Sequence, residues 1–230
     1  MVNKSLGLKN LDTWYHKNSI QKFIESQLYQ LNGIVLDAGC GNMPYKKFIL
    51  THSNTKQYIG LDIEEARIYG DIKPDIFWKD GCIPLENKTV DSILSTEVIE
   101  HVFELEPYLK ECNRVLKIKG TIILTTPFLW PLHEAPYDAH RLSPWSIEKH
   151  LEKTGFQNVN VVPLGGWNAS MAQMLGLWVK RSGMNKLIQF IMTILLYPLC
   201  FLLIKFDKKP KSFTESSMIT GYGIIASRTT

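Results

Sequence analysis

The sequence has little cysteine, and its cysteines form no zinc-binding or redox motif. The four of them are far apart and include no C-x-x-C pair: Cys40, Cys82, Cys112 and Cys200. Scattered thiols argue against the disulfide framework of a small secreted protein. The amino-terminal stretch also lacks the apolar run of a secretory signal. We therefore expect a reduced, cytoplasmic setting.

Strong charge of either sign is absent as well. The chain of 230 residues has a formal net charge of +4, which is too mild to indicate a nucleic-acid partner, and none is expected. No internal repeat or low-complexity tract is found. The apolar and charged fractions, 45% and 21%, are those of an ordinary globular protein. This length suits one domain with room for an insertion.

Short apolar runs alternate with helical patterns along most of the chain. The run IVLDA leads into a glycine turn, and further strands are predicted over 58–63, 76–80, 92–97, 121–127, 158–162 and 222–227. Helices are predicted around 20–31, after the fourth strand, over 108–117, and over 143–155. Ser143 is the expected N-cap of the last of these, and Gly155 is expected after its end. This alternation predicts a mostly parallel α/β sheet.

Glycines and acids follow the first three predicted strands. Ligands of open α/β sheets bind outside the carboxyl ends of the strands. Glycine lets the backbone approach a ligand, and a carboxylate can accept both hydroxyls of a ribose. These residues predict a nucleotide-like cofactor at that edge: Asp37, Gly39, Gly41, Asp62, Asp80 and Gly81.

The same segments resemble class I S-adenosylmethionine-dependent methyltransferases of the type 11 group. The resemblance covers roughly 34–166 and the last strand, through VLDAGCGNMPY, YIGLDI, WKDGCIPLENKTVDSILSTEVIEHV, ECNRVLKIKGTIILTTPF and HEAPYDAHRLSPWSIEKHLEKTGF. It implies a Rossmann-like seven-stranded methyltransferase sheet with an antiparallel last strand, and S-adenosylmethionine as cofactor. It also implies cofactor contacts from Asp37, Gly39, Gly41, Asp62, Ile63, Asp80, Gly81 and Glu97. Met43 stands where many members have a third glycine.

Two other classes of protein have to be weighed. An NAD(P)-binding oxidoreductase is expected to contain G-x-G-x-x-G, but Pro44 occupies the third glycine position. A dinucleotide also brings a pyrophosphate to a helix amino terminus, whereas the ammonium of S-adenosylmethionine favours an acid such as Asp37. The second alternative is a methyltransferase-like module that binds the cofactor without catalysis.

The run E97-V-I-E100-H101 is a candidate metal site. On a helix these spacings put Glu97, Glu100 and His101 on one face, where carboxylates and an imidazole could hold Mg²⁺ or Mn²⁺. This spacing resembles that of metal-dependent O-methyltransferases. The alternative interpretation is a helix-start acid and a histidine that is bonded to a neighbouring loop.

The loop after the fifth strand is dense in ionisable groups. Methyl transfer is an in-line displacement that needs alignment of donor and acceptor, and a hydroxyl or protonated amine acceptor also needs a base. The candidate catalytic residues are His101, His133, Tyr137, Asp138 and His140. Arg141 could bind an anionic acceptor or pair with Asp138 to fix the loop.

A long apolar stretch, LIQFIMTILLYPLCFLLI over 187–204, lies inside a predicted helical insertion at 164–220. The methyltransferase domain would then comprise 1–163 and 221–230. Both ends of the insertion return to one sheet and basic residues flank the stretch, so a single membrane crossing is not expected. The alternatives are a helix lying in the membrane interface, a re-entrant hairpin bent at Pro198, and a buried core or dimer helix. We expect peripheral contact with the inner face of the membrane through 184–211, with a homodimer through the same segment as the alternative.

The expected activity follows from these features together. The chain is predicted to transfer a methyl group from S-adenosylmethionine to an oxygen, or less readily a nitrogen. The acceptor would be a small molecule, a glycan or a lipid-linked compound, because the apolar insertion suits a substrate that is held at a membrane.

Overall fold

A seven-stranded mixed sheet forms the centre of the computed structural model, which describes residues 5–64 and 72–229. The strands are β1 (Asn32–Ala38), β2 (Asn54–Ile63), β3 (Ile76–Trp78), β4 (Val90–Thr96), β5 (Leu116–Pro127), β6 (Phe156–Leu164) and β7 (Gly221–Arg228). Their order across the sheet is β3-β2-β1-β4-β5-β7-β6. The first five are parallel, whereas β7 runs antiparallel to both β5 and β6. The predicted sheet, with its antiparallel last strand, is confirmed.

Helices cover both faces of this sheet. They are α1 (Trp14–Ser26), α2 (Lys46–His52), α3 (Leu105–Val115), α4 (Pro144–Lys153), α5 (Trp167–Arg181) and α6 (Lys186–Lys205). Neighbouring side chains on a strand point to opposite faces. Ile93 therefore packs in the core beneath α3 and α4, while Leu94 packs in the core beneath α1 and α2. Burial on both faces explains why the strands are almost continuously apolar.

The start of α4 is set by its local sequence. Oγ of Ser143 accepts the amide of Ser146 at 3.3 Å, and Pro144 occupies the first turn. Gly155 follows the helix with φ of 90°. These are the cap and the end that the sequence predicts, because a short polar side chain satisfies a free amide and glycine tolerates positive φ.

Two local expectations are wrong. The third strand ends at Trp78, and Asp80 and Gly81 instead form the tip of a tight turn, with φ of 51° and 78°. After β4 no regular helix includes Glu97, which has φ of 56°, and a 3₁₀ turn covers Ile99–His101. The left-handed residues after each strand reverse the chain sharply, and a period-3.6 pattern does not reveal this.

The helices α5 and α6 lie between β6 and β7. Because Leu164 of β6 pairs with Gly221 of β7, the segment starts and ends at the same point of the sheet. The helix α6 continues through Pro198, so the hairpin interpretation is wrong. Only 11% of its most apolar window is buried, so it is not a core helix either. By length and composition it is the one helix among the described residues that could cross a membrane.

Candidate active site

The turn after β1 is in close contact with β2 and with the segment that follows β4. The amides of Gly39 and Cys40 both donate to the carbonyl oxygen of Leu61, at 2.8 and 2.9 Å. Gly39 has φ of 81°, and a side chain there would collide with Cγ2 of Val98. Glycine is required at this position by its backbone angle and by the space. Met43 has φ of 48°, so it takes a left-handed conformation at the position where the family resemblance implies a third glycine.

The carboxylate of Asp62 is held at the end of β2 by two backbone amides. Gly41 donates to its Oδ2 and Ile63 to its Oδ1, each at 2.8 Å. Each oxygen keeps a lone pair, so the oriented carboxylate can still accept the hydroxyls of a ribose. The half-exposed side chain of Ile63 stands beside it, and the exposed Asp80 and Gly81 follow the neighbouring strand. The structure therefore groups these four predicted cofactor residues at one edge.

Asp37 is a buried acid with an unused acceptor. The hydroxyl of Tyr58 donates to its Oδ2 at 2.5 Å, while Oδ1 has no hydrogen-bond partner within the described residues. Burial raises the pKa of Asp37 to about 7, and the charge of Asp62 adds to the rise, while Tyr58 and Lys46 oppose it. An ammonium group would supply the missing partner and favour the ionised carboxylate. The site thus fits the amino-acid end of S-adenosylmethionine.

Glu97 is held by a residue that the motifs do not include. Its Oε2 lies 2.7 Å from Nε2 of His16 on α1, and the hydroxyl of Thr125 donates to its Oε1 at 3.0 Å. The ring of His16 stacks on Trp130 with the centroids 4.4 Å apart. Sequence reasoning missed His16 because it lies outside the matching segments, and no spacing signal links it to Glu97.

Glu100 lies beneath the loop that follows β5. Its side chain is fully buried, with Oε2 accepting the hydroxyl of Thr126 at 3.3 Å and Oε1 unpartnered in the described part of the chain. Burial, and then the charge of Glu97, raises the pKa of Glu100 well above its ordinary value. Its backbone oxygen accepts the amides of Ala139 and His140, at 2.8 and 3.0 Å. Glu100 therefore ties the loop to the sheet.

The imidazole of His101 has one nitrogen committed and the other available. Nδ1 lies 3.0 Å from the backbone oxygen of Tyr137, and since a carbonyl oxygen only accepts, Nδ1 carries the proton. In the neutral ring Nε2 is then unprotonated. It faces Oε1 of Glu100 at 3.9 Å and Oε2 of Glu134 at 4.0 Å. This geometry gives His101 a free basic nitrogen at the end of β4.

A possible set of metal ligands differs from the predicted one. Ligand atoms of Glu100, His101 and His133 all lie within 4.8 Å of one another. The rings of the two histidines meet edge to face, 4.7 Å apart. Glu97, in contrast, is occupied by His16 and Thr125 and is not in this group. The combination of a carboxylate and imidazoles suits a divalent transition metal such as Mn²⁺ better than Mg²⁺.

The rest of the loop is held together by an ion pair. Arg141 donates to both carboxylate oxygens of Asp138, at 2.6 and 2.8 Å, and the amide of His133 also donates to Asp138. These bonds outweigh burial and lower the pKa of Asp138 to about 2. Nε2 of His140 lies 2.9 Å from the oxygen of Val102. Of the five predicted catalytic side chains, Asp138 and His140 thus have loop-fixing partners, while that of Tyr137 is exposed.

The strand order, the antiparallel β7 and the acids at the ends of β1 and β2 are those of the class I S-adenosylmethionine-dependent methyltransferase fold. An NAD(P)-binding sheet of the ordinary kind has no such antiparallel strand beside β5. Residues 36–124 match the model of a methyltransferase domain of the type 11 group. In both the matched segment and the fold, the chain is therefore similar to S-adenosylmethionine-dependent methyltransferases.

Known proteins are similar to this chain over different lengths. A probable S-adenosylmethionine-dependent methyltransferase of Mycolicibacterium smegmatis is 28% identical over 137 residues, which cover 54% of this chain and 51% of that protein. The chain therefore spans about half the length of this relative. A methyltransferase structure from Archaeoglobus fulgidus has a TM-score of 0.58 at 16% identity, covering 93% of this chain and 94% of that one.

A second solved structure, from Thermotoga maritima, is described as a possible histamine N-methyltransferase. It has a TM-score of 0.60 at 18% identity and covers 95% of this chain and 92% of that one. At these identities the two structures show that the fold is shared.

Proposed function

We propose that this protein transfers the methyl group of S-adenosylmethionine to an oxygen of a small-molecule, glycan or lipid-linked acceptor. The observation that carries the proposal is the free Nε2 of His101, whose protonation is set by the bond between Nδ1 and Tyr137. It lies at the end of β4, beside the cofactor edge formed by β1 and β2. A general base at this place is what a hydroxyl acceptor requires.

The residues of the cofactor edge have separate tasks in this proposal. The carboxylate of Asp62 accepts the ribose hydroxyls, and Asp37 receives the ammonium at its unpartnered oxygen. The turn at Gly39 and Gly41 allows the backbone to lie close to the methionine portion. Ile63 offers an apolar surface for the adenine. Together they fix the direction of the sulfonium–methyl bond, which in-line transfer requires.

The reaction is a single displacement. A lone pair of the acceptor oxygen forms a bond to the methyl carbon while the carbon–sulfur bond breaks and leaves its electrons on sulfur, which becomes a neutral thioether. The proton of the acceptor hydroxyl moves to Nε2 of His101. The imidazolium formed there lies 3.9 Å from Oε1 of Glu100, whose carboxylate form it would favour.

A nitrogen acceptor is the second candidate. The carboxylate of Glu134, 4.0 Å from Nε2 of His101, suits a cationic amine before it loses its proton. The possible N-methyltransferase from Thermotoga maritima shares the fold, which is compatible with this chemistry. An amine would also lose a proton to His101, so the same residue serves both candidates.

The test is a methyl-transfer assay with radiolabelled S-adenosylmethionine on cell extracts that are separated into lipid and soluble fractions. His101→Asn should lower kcat by about 10²–10⁴-fold, the contribution of a general base, and leave binding of S-adenosylhomocysteine intact. His52→Asn is a matched control, because Nδ1 of His52 also bonds a backbone oxygen at 3.0 Å, on α2. A kcat within twofold of wild type for His101→Asn would refute this role, and cofactor binding without any turnover would support the non-catalytic module.

A further inference from the structure

The helix α6 differs from an ordinary amphipathic helix, because its polar side chains face the protein and its apolar side chains face outward. Its weakly polar side chains face the protein: Thr193 is 2% exposed and Cys200 is fully buried against α5. The side-chain amide of Gln189 donates to the backbone oxygens of Val179 and Lys180, and the hydroxyl of Tyr197 donates to that of Leu6. The polar stripe is therefore used in holding the helix, which turns its apolar side chains outward.

The outward face is large and continuous along the helix. Leu187 is 69% exposed and Leu195 is 62% exposed. The exposed apolar residues of α6 and its end are Leu187, Ile188, Phe190, Ile191, Ile194, Leu195, Leu199, Phe201, Leu202 and Phe206. On α5, Met171, Met174 and Trp178 are also about half exposed. An apolar patch of this extent indicates an interaction surface.

Basic residues lie at the two ends of this face, and its one acid is already bonded within the protein. Lys186 and Lys205 lie at the two ends of α6, and Lys208, Lys209 and Lys211 follow it. The only acid between 180 and 211 is Asp207, whose carboxylate accepts the amides of Gly166 and Ala169 at the start of α5. A positive rim around an apolar face complements a surface with anionic headgroups and an apolar interior.

The topology excludes a single crossing of the membrane by α6. The segment that contains α5 and α6 leaves the sheet at Leu164 and returns at Gly221, which are paired neighbours. A crossing would require the polar chain after Lys205 to pass back through the hydrocarbon, where unpaired backbone groups are costly. Contacts with α5 along its length, through Gln189 and Cys200, also keep α6 on the protein. The helix can therefore lie in the plane of the interface, about 30 Å long.

We propose that the outward face of α5 and α6 docks on the surface of an anionic lipid bilayer. The face is connected to the candidate active site by short contacts. The side chain of Gln173 on α5 donates to the backbone oxygen of Leu129 at 2.6 Å, and the guanidinium of Arg181 lies 5.1 Å from the ring centroid of Trp130. Trp130 in turn stacks on His16, the partner of Glu97.

Docking would therefore place the lipid surface beside the wall of the site. An acceptor carried by the lipid would then lie close to the site, and this consequence alone rests on the proposed methyl transfer.

The experiment is flotation of the purified full chain with vesicles of phosphatidylcholine, with or without phosphatidylglycerol. Wild type should float with the anionic vesicles and much less with the neutral ones. Leu195→Glu should weaken binding by about tenfold or more, because it removes a leucine that docking would bury and adds a negative charge that anionic lipid repels. Tyr29→Glu is the control, because the side chain of Tyr29 is 75% exposed and lies just before the start of β1, outside α5 and α6. Lys208→Glu should weaken binding to anionic vesicles only.

The outcomes separate docking from catalysis. Absence of flotation, or equal flotation of Leu195→Glu and wild type, would overturn docking. Equal binding to neutral and anionic vesicles would show that the lysines do not bind anionic headgroups. A stable dimer that Leu195→Glu dissociates, without vesicle binding, would show that the face is an interface between two copies. Binding of S-adenosylhomocysteine, measured on the same samples, shows that each variant is folded. Docking without turnover would count against the proposed function alone.

Discussion

Nε2 of His16 and Oε2 of Glu97 lie 2.7 Å apart, although the two residues are 81 positions apart in the chain. This contact joins α1 to the residue that follows β4. It also connects the cofactor edge to Trp130, and through Arg181 to Asp12, whose Oδ2 lies 3.3 Å from the guanidinium. The amino-terminal segment therefore contributes a wall of the site.

The first prediction concerns this contact. His16→Phe keeps an aromatic ring on Trp130 but removes the hydrogen bond, so Glu97 loses a charge-assisted partner. We expect kcat/KM to fall by about 10–100-fold, corresponding to ~1.5–3 kcal/mol. Steady-state methyl transfer checks this. The control is His150→Phe, because His150 faces Glu106 at 3.3 Å on the outside of α3 and α4. Equal activity of the two variants would refute a role for the pair.

The second prediction concerns the ribose contact. Asp62→Asn keeps the shape of the side chain but replaces a carboxylate oxygen by an amide group that cannot accept. We expect the Kd for S-adenosylhomocysteine to rise by about 10–100-fold, measured by calorimetry. The matched control is Asp91→Asn, because Oδ2 of Asp91 also accepts a backbone amide, that of Ile34 at 2.8 Å, near the start of β1 and β4. A Kd for Asp62→Asn within twofold of the wild-type value, or equal losses in both variants, would contradict the site.

The third prediction is a pH dependence of cofactor binding. Asp37, with a pKa of about 7 in the free protein, becomes neutral as the pH falls through that value. A neutral carboxyl cannot balance the cofactor ammonium, so affinity for S-adenosylhomocysteine should decrease below pH 7, by up to about tenfold per unit. Asp37→Asn should bind more weakly and without this dependence. A flat profile for wild type between about pH 5 and 8 would remove Asp37 from the contact.

The fourth prediction concerns the candidate metal ligands. Nδ1 of His101 is bonded to Tyr137, so a divalent cation held by Glu100, His101 and His133 would occupy Nε2 in place of the proton. If this alternative holds, a chelator should stop turnover and Mn²⁺ should restore it. Binding of Mn²⁺ to the protein without cofactor should weaken by about 10–100-fold in His133→Asn. Glu97→Gln should leave Mn²⁺ binding unchanged, because Glu97 is bonded to His16. Turnover that is indifferent to a chelator would exclude the metal.

The fifth prediction concerns the glycine turn. Gly39 and Gly183 have nearly the same φ, 81° and 80°, but only a side chain at Gly39 would meet Val98, whereas nothing lies within 4 Å at Gly183. Alanine costs the same backbone strain at either position, so the difference in stability between the two variants measures the collision with Val98. We expect Gly39→Ala to be less stable than Gly183→Ala by about 1–3 kcal/mol in chemical denaturation. Equal stability would mean that the turn can move away from Val98.

The sheet and its cofactor edge could be predicted from the chain because they depend on local patterns. Buried parallel strands are apolar throughout, and the residues that end them are neighbours in space whenever the sheet forms. Asp37 and Asp62 could be found in this way. Two local predictions failed, because Asp80 lies in a turn after β3 and Glu97 starts no helix. Their left-handed backbone angles are decided by contacts that the pattern does not contain.

The sequence by itself determined the seven strands, the glycine turn, the acids at the strand ends and a long apolar segment between β6 and β7. Only the tertiary structure decided that Glu97 pairs with His16, that His133 joins Glu100 and His101, and that α6 turns its polar stripe inward. The physical reason is that periodicity reports which residues share a strand or a helix face. Which faces meet is decided by packing between segments far apart in the chain, as when Cys200 fits against α5 and Thr193 is buried, while Leu187 and Leu195 are left exposed.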